Sequence, residues 1–258
     1  MRLTKQRLSK HHLSKHHGLG NDFLVIDGDV DPAMARALCD RRTGIGADGL
    51  IGYRGLRMTL LNADGSRAEM SGNGIRCLAQ VLAAGRDVTL DIETDAGIRR
   101  VDVRQTGAAT VDVRVGMGAV SAAPVPEIEL GAAKDVVGAA VGNPHLVALY
   151  PDRAALDAAA DGFAMTDRNV EFVLAGPGDD ALTMRVVERG VGETQACGTG
   201  ACAAAWAAHR WGLVGERVTV HMPGGSAVVE LGIGIEGGEV HLIGPAVHIA
   251  DIEVAWPS

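Results

Sequence analysis

The residues best suited to chemistry are Ser71 and Cys197, which open the similar loops SGNG and CGTG. A thiol just before a helix N-terminus lies in a positive field, which predicts a lowered pKa for Cys197. The free backbone N–H groups of such a helix start bind carboxylates. Two facing loops could therefore hold one α-carboxylate and place a proton-transferring side chain on each side of the α-carbon. That is the geometry of a racemase that needs no pyridoxal phosphate.

Two helical segments must position these loops, GIRCLAQVLAA from Gly74 and GACAAAWAAHRW from Gly200. The second is apolar on nearly all sides, which predicts a buried helix. Proline and aspartate open two further helices, AMARALCD and RAALDAAA. Strand-like runs make up most of the rest, among them FLVID, MTLLN, VTLDI, TVDVRV, HLVALY, NVEFV, LTMRVVE and RVTVHM.

The two loops lie about half a chain length apart, which indicates a duplicated unit. Coincidence of two Gly-rich turns in a chain with 35 glycines is the alternative. Duplication predicts an α+β fold with two pseudo-symmetric halves, each a β-sheet wrapped around a central buried helix. The active site is then expected in the cleft between the halves.

Composition narrows the class of protein. The chain has 258 residues, 47% hydrophobic content, 3% aromatic content and a net charge of -8. A core-forming enzyme of small molecules fits these values, whereas a nucleic-acid-binding protein would need a cationic surface and stacking aromatics. The sequence shows no membrane span or signal peptide, so we expect a cytoplasmic protein. Its cysteines are expected to be free thiols, namely Cys39, Cys77, Cys197 and Cys202.

The N-terminus repeats Leu-Ser-Lys-His-His before the globular pattern begins. Its histidines could hold a transition metal at helical spacing, and they are His11, His12, His16 and His17. Composition favours a solvated tail instead. We therefore predict a flexible extension over residues 1–16, and we expect no metal site.

Several longer strings, in the same order, resemble diaminopimelate epimerase from about His17 to the C-terminus. They are HGLGNDF, GIGADG, NADGS, MSGNGIR, GNPH, NVEF and ERGVGETQACGTGA. The resemblance implies an isomerase without a cofactor that interconverts LL- and meso-2,6-diaminopimelate by two-base proton transfer, in lysine and peptidoglycan precursor biosynthesis. It also implies an N-terminal half over residues 17–116, completed by 250–258, and a C-terminal half over 117–249.

The resemblance assigns a role to each matching residue. It implies that Cys197 and Ser71 are the catalytic residues. It also implies that the reacting carboxylate is bound by backbone N–H groups, those of Gly72, Asn73, Gly198 and Thr199. The remaining substrate contacts fall to Asn21, Asn62, Asn143, Asn169, Glu188 and Arg189, of which Asn62 is the one most suited to a structural role in its turn. Arg189 can pair a carboxylate bidentately, and Glu188 can accept from an ammonium. His145 is a candidate neighbour of the site, while His209 and His221 are interpreted as structural.

Two positions depart from the family pattern. Ser71 stands where the family has its first cysteine, and Gly49 stands where many relatives have glutamine. The first departure leaves one face without a thiol. The second removes one polar contact near the site.

Other functions stay open. GIGADG also spells a dinucleotide fingerprint, but it follows a helix and precedes a strand, the reverse of the required order. Cys197 could serve a hydrolase or acyltransferase with His145 or His209 as base. With Ser71, a silent amino-acid-binding protein or a single-base dehydratase is a further alternative. The sequence also leaves open whether the protein forms a homodimer.

Overall fold

The structure, a computed structural model, describes residues 8–164, 167–232 and 238–257. Its first part contains β1 (Leu8–Gly18), β2 (Asn21–Asp27), α1 (Pro32–Cys39), β3 (Gly49–Arg54), β4 (Arg57–Asn62), β5 (Arg67–Ala68), α2 (Gly72–Ala83), β6 (Val88–Thr94), β7 (Gly97–Gln105) and β8 (Thr110–Ala119). After β9 (Ser121–Ala123) come β10 (Asp135–Ala140), β11 (Pro144–Leu149), α3 (Arg153–Asp161), β12 (Asn169–Ala175), β13 (Ala181–Glu188), β14 (Gly192–Thr194), α4 (Gly198–Arg210), β15 (Arg217–Met222), β16 (Gly225–Glu230) and β17 (Glu239–Pro257).

The second part repeats the element order and pairing of the first. Strands β2 and β3 pair in parallel, as do β11 and β12. Strands β4 and β6 pair in parallel around the α2 connection, as β13 and β15 do around α4. The predicted α+β fold with two repeated halves is confirmed.

The helices α2 and α4 form the centres of the two repeats. Most residues of each are buried among the strands. Both begin two residues before the predicted starts at Gly74 and Gly200, because Ser71 and Cys197 are themselves the N-caps. Helices α1 and α3 follow their predicted aspartate caps, Asp31 and Asp152.

Strand β17 connects the two repeats. It pairs antiparallel with β16 of the second repeat and with β8 of the first. Its C-terminal part pairs with β1 along residues 247–257. The exact division at residue 116 stays a prediction.

The prediction of a flexible extension is wrong for residues 8–16, which belong to β1. This strand pairs with β17 and, from Leu13 onward, with β2. Leu13 is 3% exposed within a hydrophobic cluster, and His16 is buried. The strand is held by a partner at the far end of the chain, so local composition does not reveal it. Residues 1–7 lie outside the described part.

The string GIGADG follows α1 and leads into β3, which agrees with its rejection as a dinucleotide fingerprint. The four cysteines are free thiols, as predicted. Over the described ranges, no helix has the length and apolar composition needed to cross a membrane. In the same ranges, no three His, Cys, Asp or Glu side chains are grouped so that they could hold a metal ion.

Candidate active site

The N-termini of α2 and α4 meet at Gly72 and Gly198. A Cβ placed on Gly198 would lie 3.2 Å from Gly72 Cα and 2.8 Å from Leu242 Cδ2 of β17. Only glycine permits this approach without a shift of backbone or side chain. The two loops predicted to face each other are therefore adjacent in the fold.

Four backbone N–H groups at this junction have no acceptor among the described residues, namely those of Gly72, Asn73, Gly198 and Thr199. They are the first amides of their helices, which have no intrahelical partner. Amides at the positive ends of two helices favour an anion between them. The arrangement suits one carboxylate.

The side chain of Ser71 caps α2. Its Oγ accepts from the N–H of Gly74 at 3.1 Å. Within the described residues, no carboxylate or imidazole is hydrogen-bonded to this hydroxyl. The hydrogen bonds of Ser71 in the described part of the chain therefore supply no base for its hydroxyl.

Cys197 caps α4 and is 5% exposed. Its Sγ accepts from the N–H of Gly200 at 3.4 Å and lies 3.4 Å from Thr199 Oγ1. The expectation of a lowered pKa for Cys197 is wrong. Burial, followed by the carboxylates of Glu188 and Glu171, raises the pKa of Cys197 well above its ordinary value. These effects outweigh the helix N-terminus.

Glu188 ends β13 beside the thiol. Its carboxylate accepts a hydrogen bond from Thr194 Oγ1 and interacts electrostatically with the Cys197 thiol. Burial, and to a lesser extent the charge of Glu171, raises the pKa of Glu188. The resemblance predicts that Glu188 accepts from a substrate ammonium. The structure places its carboxylate where it interacts with the Cys197 thiol.

His145 lies on β11 and is fully buried. Its Nδ1 is 2.7 Å from Glu171 Oε1 and its Nε2 is 2.8 Å from Asn143 Oδ1. Glu171 packs against the first turn of α4, since a Cβ on Gly200 would lie 2.6 Å from its Oε1. Glu171 was not predicted as a site residue, although it lies in the NVEF string.

The side chain of Asn73 is fully engaged within the protein. Its Nδ2 donates to Asn21 Oδ1 and to the carbonyl of Ala196, the residue before Cys197, both at 3.1 Å. Its Oδ1 accepts from Arg76 Nη2 at 2.7 Å. Asn73 therefore ties the two loops together, which leaves its backbone N–H as its contribution to a ligand.

Arg76 is a second site residue that was not predicted from the sequence. It is completely buried and also donates to the carbonyls of Gly72 and Pro245. Burial lowers the pKa of Arg76 to about 10. The sequence feature that could have indicated Arg76 is its position in the MSGNGIR string, within the segment predicted to be helical.

Asn169 and Arg189 lie on neighbouring strand ends. Asn169 is buried, and its Oδ1 accepts from the backbone N–H of Arg189 at 2.9 Å. The Arg189 guanidinium is exposed and forms no hydrogen bond or ion pair with a described residue. It is available to a ligand carboxylate.

Asn62 is the predicted residue least connected to this cluster. Its Nδ2 donates to Ser66 Oγ at 2.9 Å within its own turn. Opposite it lies Gly49, where a Cβ would come 2.9 Å from the Leu61 carbonyl and 3.1 Å from the Phe23 ring. A longer residue at position 49 would need these neighbours to move.

A family model described as diaminopimelate epimerase matches residues 13–123 and 138–249. The chain is similar to the protein of that name from Desulfitobacterium hafniense, with 39% identity covering 90% of this chain and 94% of that one. A second relative of the same name, from Sphingopyxis alaskensis, is 40% identical over 93% of this chain and 95% of its own length.

Solved structures share the fold. A predicted epimerase from Pseudomonas aeruginosa superposes with a TM-score of 0.72 at 16% identity, covering 95% of this chain and 99% of that one. A hydroxyproline epimerase from Agrobacterium vitis gives a TM-score of 0.64 at 17% identity, covering 100% and 95%. At these identities the similarity concerns the fold alone.

Proposed function

The chain belongs to the diaminopimelate epimerase family, and on that basis we propose that it interconverts LL- and meso-2,6-diaminopimelate. The observation that carries the proposal is the meeting of two capped helix N-termini at Gly72 and Gly198. Their free amides fit the carboxylate of the reacting centre. The amides also stabilise the charge that develops on this carboxylate when the α-proton leaves.

On one face of the α-carbon, Cys197 exchanges a proton with the substrate. The Glu188 carboxylate interacts electrostatically with this thiol, and transfer of the thiol proton to that carboxylate yields the thiolate that removes the α-hydrogen. The raised pKa of Cys197 keeps the thiol protonated in the free enzyme, as a proton donor requires. No pyridoxal phosphate takes part.

On the other face stands the hydroxyl of Ser71. A serine without an adjacent base is a poor proton acceptor at neutral pH. Epimerisation by this chain is therefore slow, while exchange of the α-proton through Cys197 persists.

Polar groups around the junction of the α2 and α4 N-termini bind the distal end of the substrate. Arg189 offers an unpaired guanidinium for a carboxylate. Asn169 begins β12 beside it, and Asn143 lies just before the adjacent strand β11. Asn21 and Asn62 complete the set carried over from the family. We also propose that the protein acts in the cytoplasm. We propose further that it forms a homodimer, which analytical sedimentation would test.

The test is incubation of LL-diaminopimelate with the protein in deuterated water, followed by NMR and separation of epimers. Deuterium at the α-carbon, abolished by Cys197→Ala and kept by Cys202→Ala, supports the proposal. Cys202 is a matched control because it is a buried cysteine within α4, the helix that Cys197 caps. Absence of both exchange and epimerisation under saturating substrate contradicts it.

A single-base reaction is the second candidate, favoured by the isolated Ser71 hydroxyl. A dehydratase abstracts one α-proton and expels the β-hydroxyl of a hydroxylated amino acid as water, so it needs no second thiol. The resulting enamine tautomerises to an imine, which water hydrolyses to a keto acid and ammonia. Release of a keto acid from such a substrate, without exchange of diaminopimelate, would favour this function.

A further inference from the structure

Arg76 of α2 lies in an unusual environment for a charged side chain. It is completely buried, and no carboxylate within the described ranges forms a hydrogen bond or an ion pair with it. Asp112 of β8 acts on it electrostatically without pairing. An arginine keeps its charge inside a protein, and a buried charge without an opposite charge is strongly unfavourable. A charge that costs stability in this way is a candidate for a functional role.

Three acceptors from two distant segments hold the guanidinium. Nη1 donates to the Gly72 carbonyl at 3.0 Å, and Nη2 donates to Asn73 Oδ1 at 2.7 Å. Nε donates to the carbonyl of Pro245 in β17 at 3.2 Å. All three acceptors are neutral, so they satisfy the hydrogen bonds of the guanidinium without balancing its charge.

Two glycines leave the space that the guanidinium occupies. A Cβ on Gly18, the last residue of β1, would lie 3.1 Å from Nη2, and a Cβ on Gly244 of β17 would lie 3.2 Å from Cζ. Arg76 is thus confined between β1, β17 and its own helix, and its charge has a fixed position.

The contact with Gly72 reaches the carboxylate cradle formed by the four free amides. The carbonyl of Gly72 and the N–H of Asn73 belong to the same peptide group, and this N–H has no acceptor among the described residues. A donor at the carbonyl of a peptide polarises it and makes its N–H a stronger donor. Arg76 therefore strengthens one amide of the cradle.

The contact with Asn73 reaches the second loop. The guanidinium can only donate, and the Ala196 carbonyl at the other end of the Asn73 amide can only accept. If this amide were turned round, donor would face donor at one end and acceptor would face acceptor at the other, so its orientation is fixed. Through the amide, Arg76 also holds the residue before Cys197, the N-cap of α4.

We propose that Arg76 is a positioning residue whose fixed charge makes the junction of α2 and α4 specific for a carboxylate and stabilises the negative charge that develops when the α-proton leaves. It acts through the Gly72–Asn73 peptide and through the Asn73 side chain. The substrate carboxylate in turn balances the buried charge. This role rests on the proposed function, and it requires a charge at position 76 in addition to hydrogen-bond donors.

The test is α-proton exchange of LL-diaminopimelate in deuterated water, measured at pH 7 as kcat and KM for Arg76→Lys and Arg76→Gln. Both substitutions keep a hydrogen-bond donor, but only lysine keeps the charge. Arg76→Gln should lower kcat about 10²-fold, as loss of a charge-stabilising donor does. Arg76→Lys should be about tenfold faster than Arg76→Gln. Arg86→Gln is the control with unchanged kcat, because Arg86 is exposed and donates to the nearby Ala83 carbonyl.

A second pair of variants leaves Arg76 and its three acceptors in place. Gly18→Asp would bring a carboxylate next to Nη2 and neutralise the charge, whereas Gly18→Asn adds a neutral side chain of nearly the same volume. The aspartate variant should have the lower kcat, by about tenfold, although its ion pair should give it the higher melting temperature. If Arg76 had only a structural role, the aspartate would raise the melting temperature without loss of rate.

Equal kcat values for folded Arg76→Lys and Arg76→Gln proteins overturn the proposal. If Arg76→Gln fails to fold, equal kcat values for the two Gly18 variants overturn it. A wild-type protein that neither exchanges diaminopimelate nor binds it in calorimetry counts against the proposed function instead.

Discussion

Gly72 and Gly198 are in contact where the two repeats meet, so each helix N-terminus limits the position of the other. A methyl group on Gly198 would press on Gly72 Cα at 3.2 Å and on Leu242 at 2.8 Å. The carboxylate cradle exists because these two positions lack side chains.

Gly198→Ala should separate the loops and lower the rate of α-proton exchange by about 10²-fold, the effect of roughly 1 Å of misplacement. Overpacking should cost about 1 to 3 kcal/mol of stability. Gly107→Ala is the control, since its Cβ would meet only Thr110 at 3.8 Å or more. Normal exchange by a folded Gly198→Ala protein would show that the cradle tolerates a wider junction.

Leu13→Ala should destabilise the protein by about 2 to 5 kcal/mol, because a buried leucine leaves a cavity. Leu13 is 3% exposed and belongs to β1. Leu56→Ala makes the same chemical change at a side chain that is 45% exposed, and should stay within about 0.5 kcal/mol. Equal unfolding midpoints in urea for the two variants would contradict the packing of β1.

Arg189→Ala should weaken diaminopimelate binding by about 2 to 5 kcal/mol, because a substrate carboxylate would lose its charged partner. Folding should change little, since the guanidinium is exposed and unpaired among the described residues. Arg104→Ala, which breaks an exposed ion pair with Asp87, should leave affinity unchanged. Calorimetry and melting temperature separate the two effects, and full affinity would remove Arg189 from the site.

Glu188→Gln should shift the alkylation of Cys197 by iodoacetamide to lower pH. Burial and then the Glu188 charge raise the pKa of this thiol, so removing the charge lowers it and increases the thiolate fraction. Because the folded pKa is raised, the thiol's contribution to stability is present below its ordinary value of 9.0 and is lost as pH rises above it. Glu193→Gln is the control. An unchanged alkylation profile, measured by mass spectrometry, would rule out this electrostatic contact.

The sequence was sufficient for the repeated fold, the two capped helices and the family. These features depend on local patterns, such as the Gly-x-Gly that follows Ser71 and Cys197. It was insufficient where distant strands converge. The raised pKa of Cys197 depends on Glu188 and Glu171, which lie on separate strands. Strand β1 depends in the same way on a partner at the opposite terminus.

The most direct measurement is the ratio of deuterium uptake to epimerisation with LL-diaminopimelate, compared between the protein with Ser71 and its Ser71→Cys variant. A positioned acid or base contributes about 10² to 10⁴ in rate. Uptake should therefore outrun epimerisation with Ser71, and the cysteine variant should epimerise faster by a factor in that range. Equal rates of LL–meso interconversion by the two proteins would contradict the one-thiol mechanism, and another group would then have to transfer the second proton.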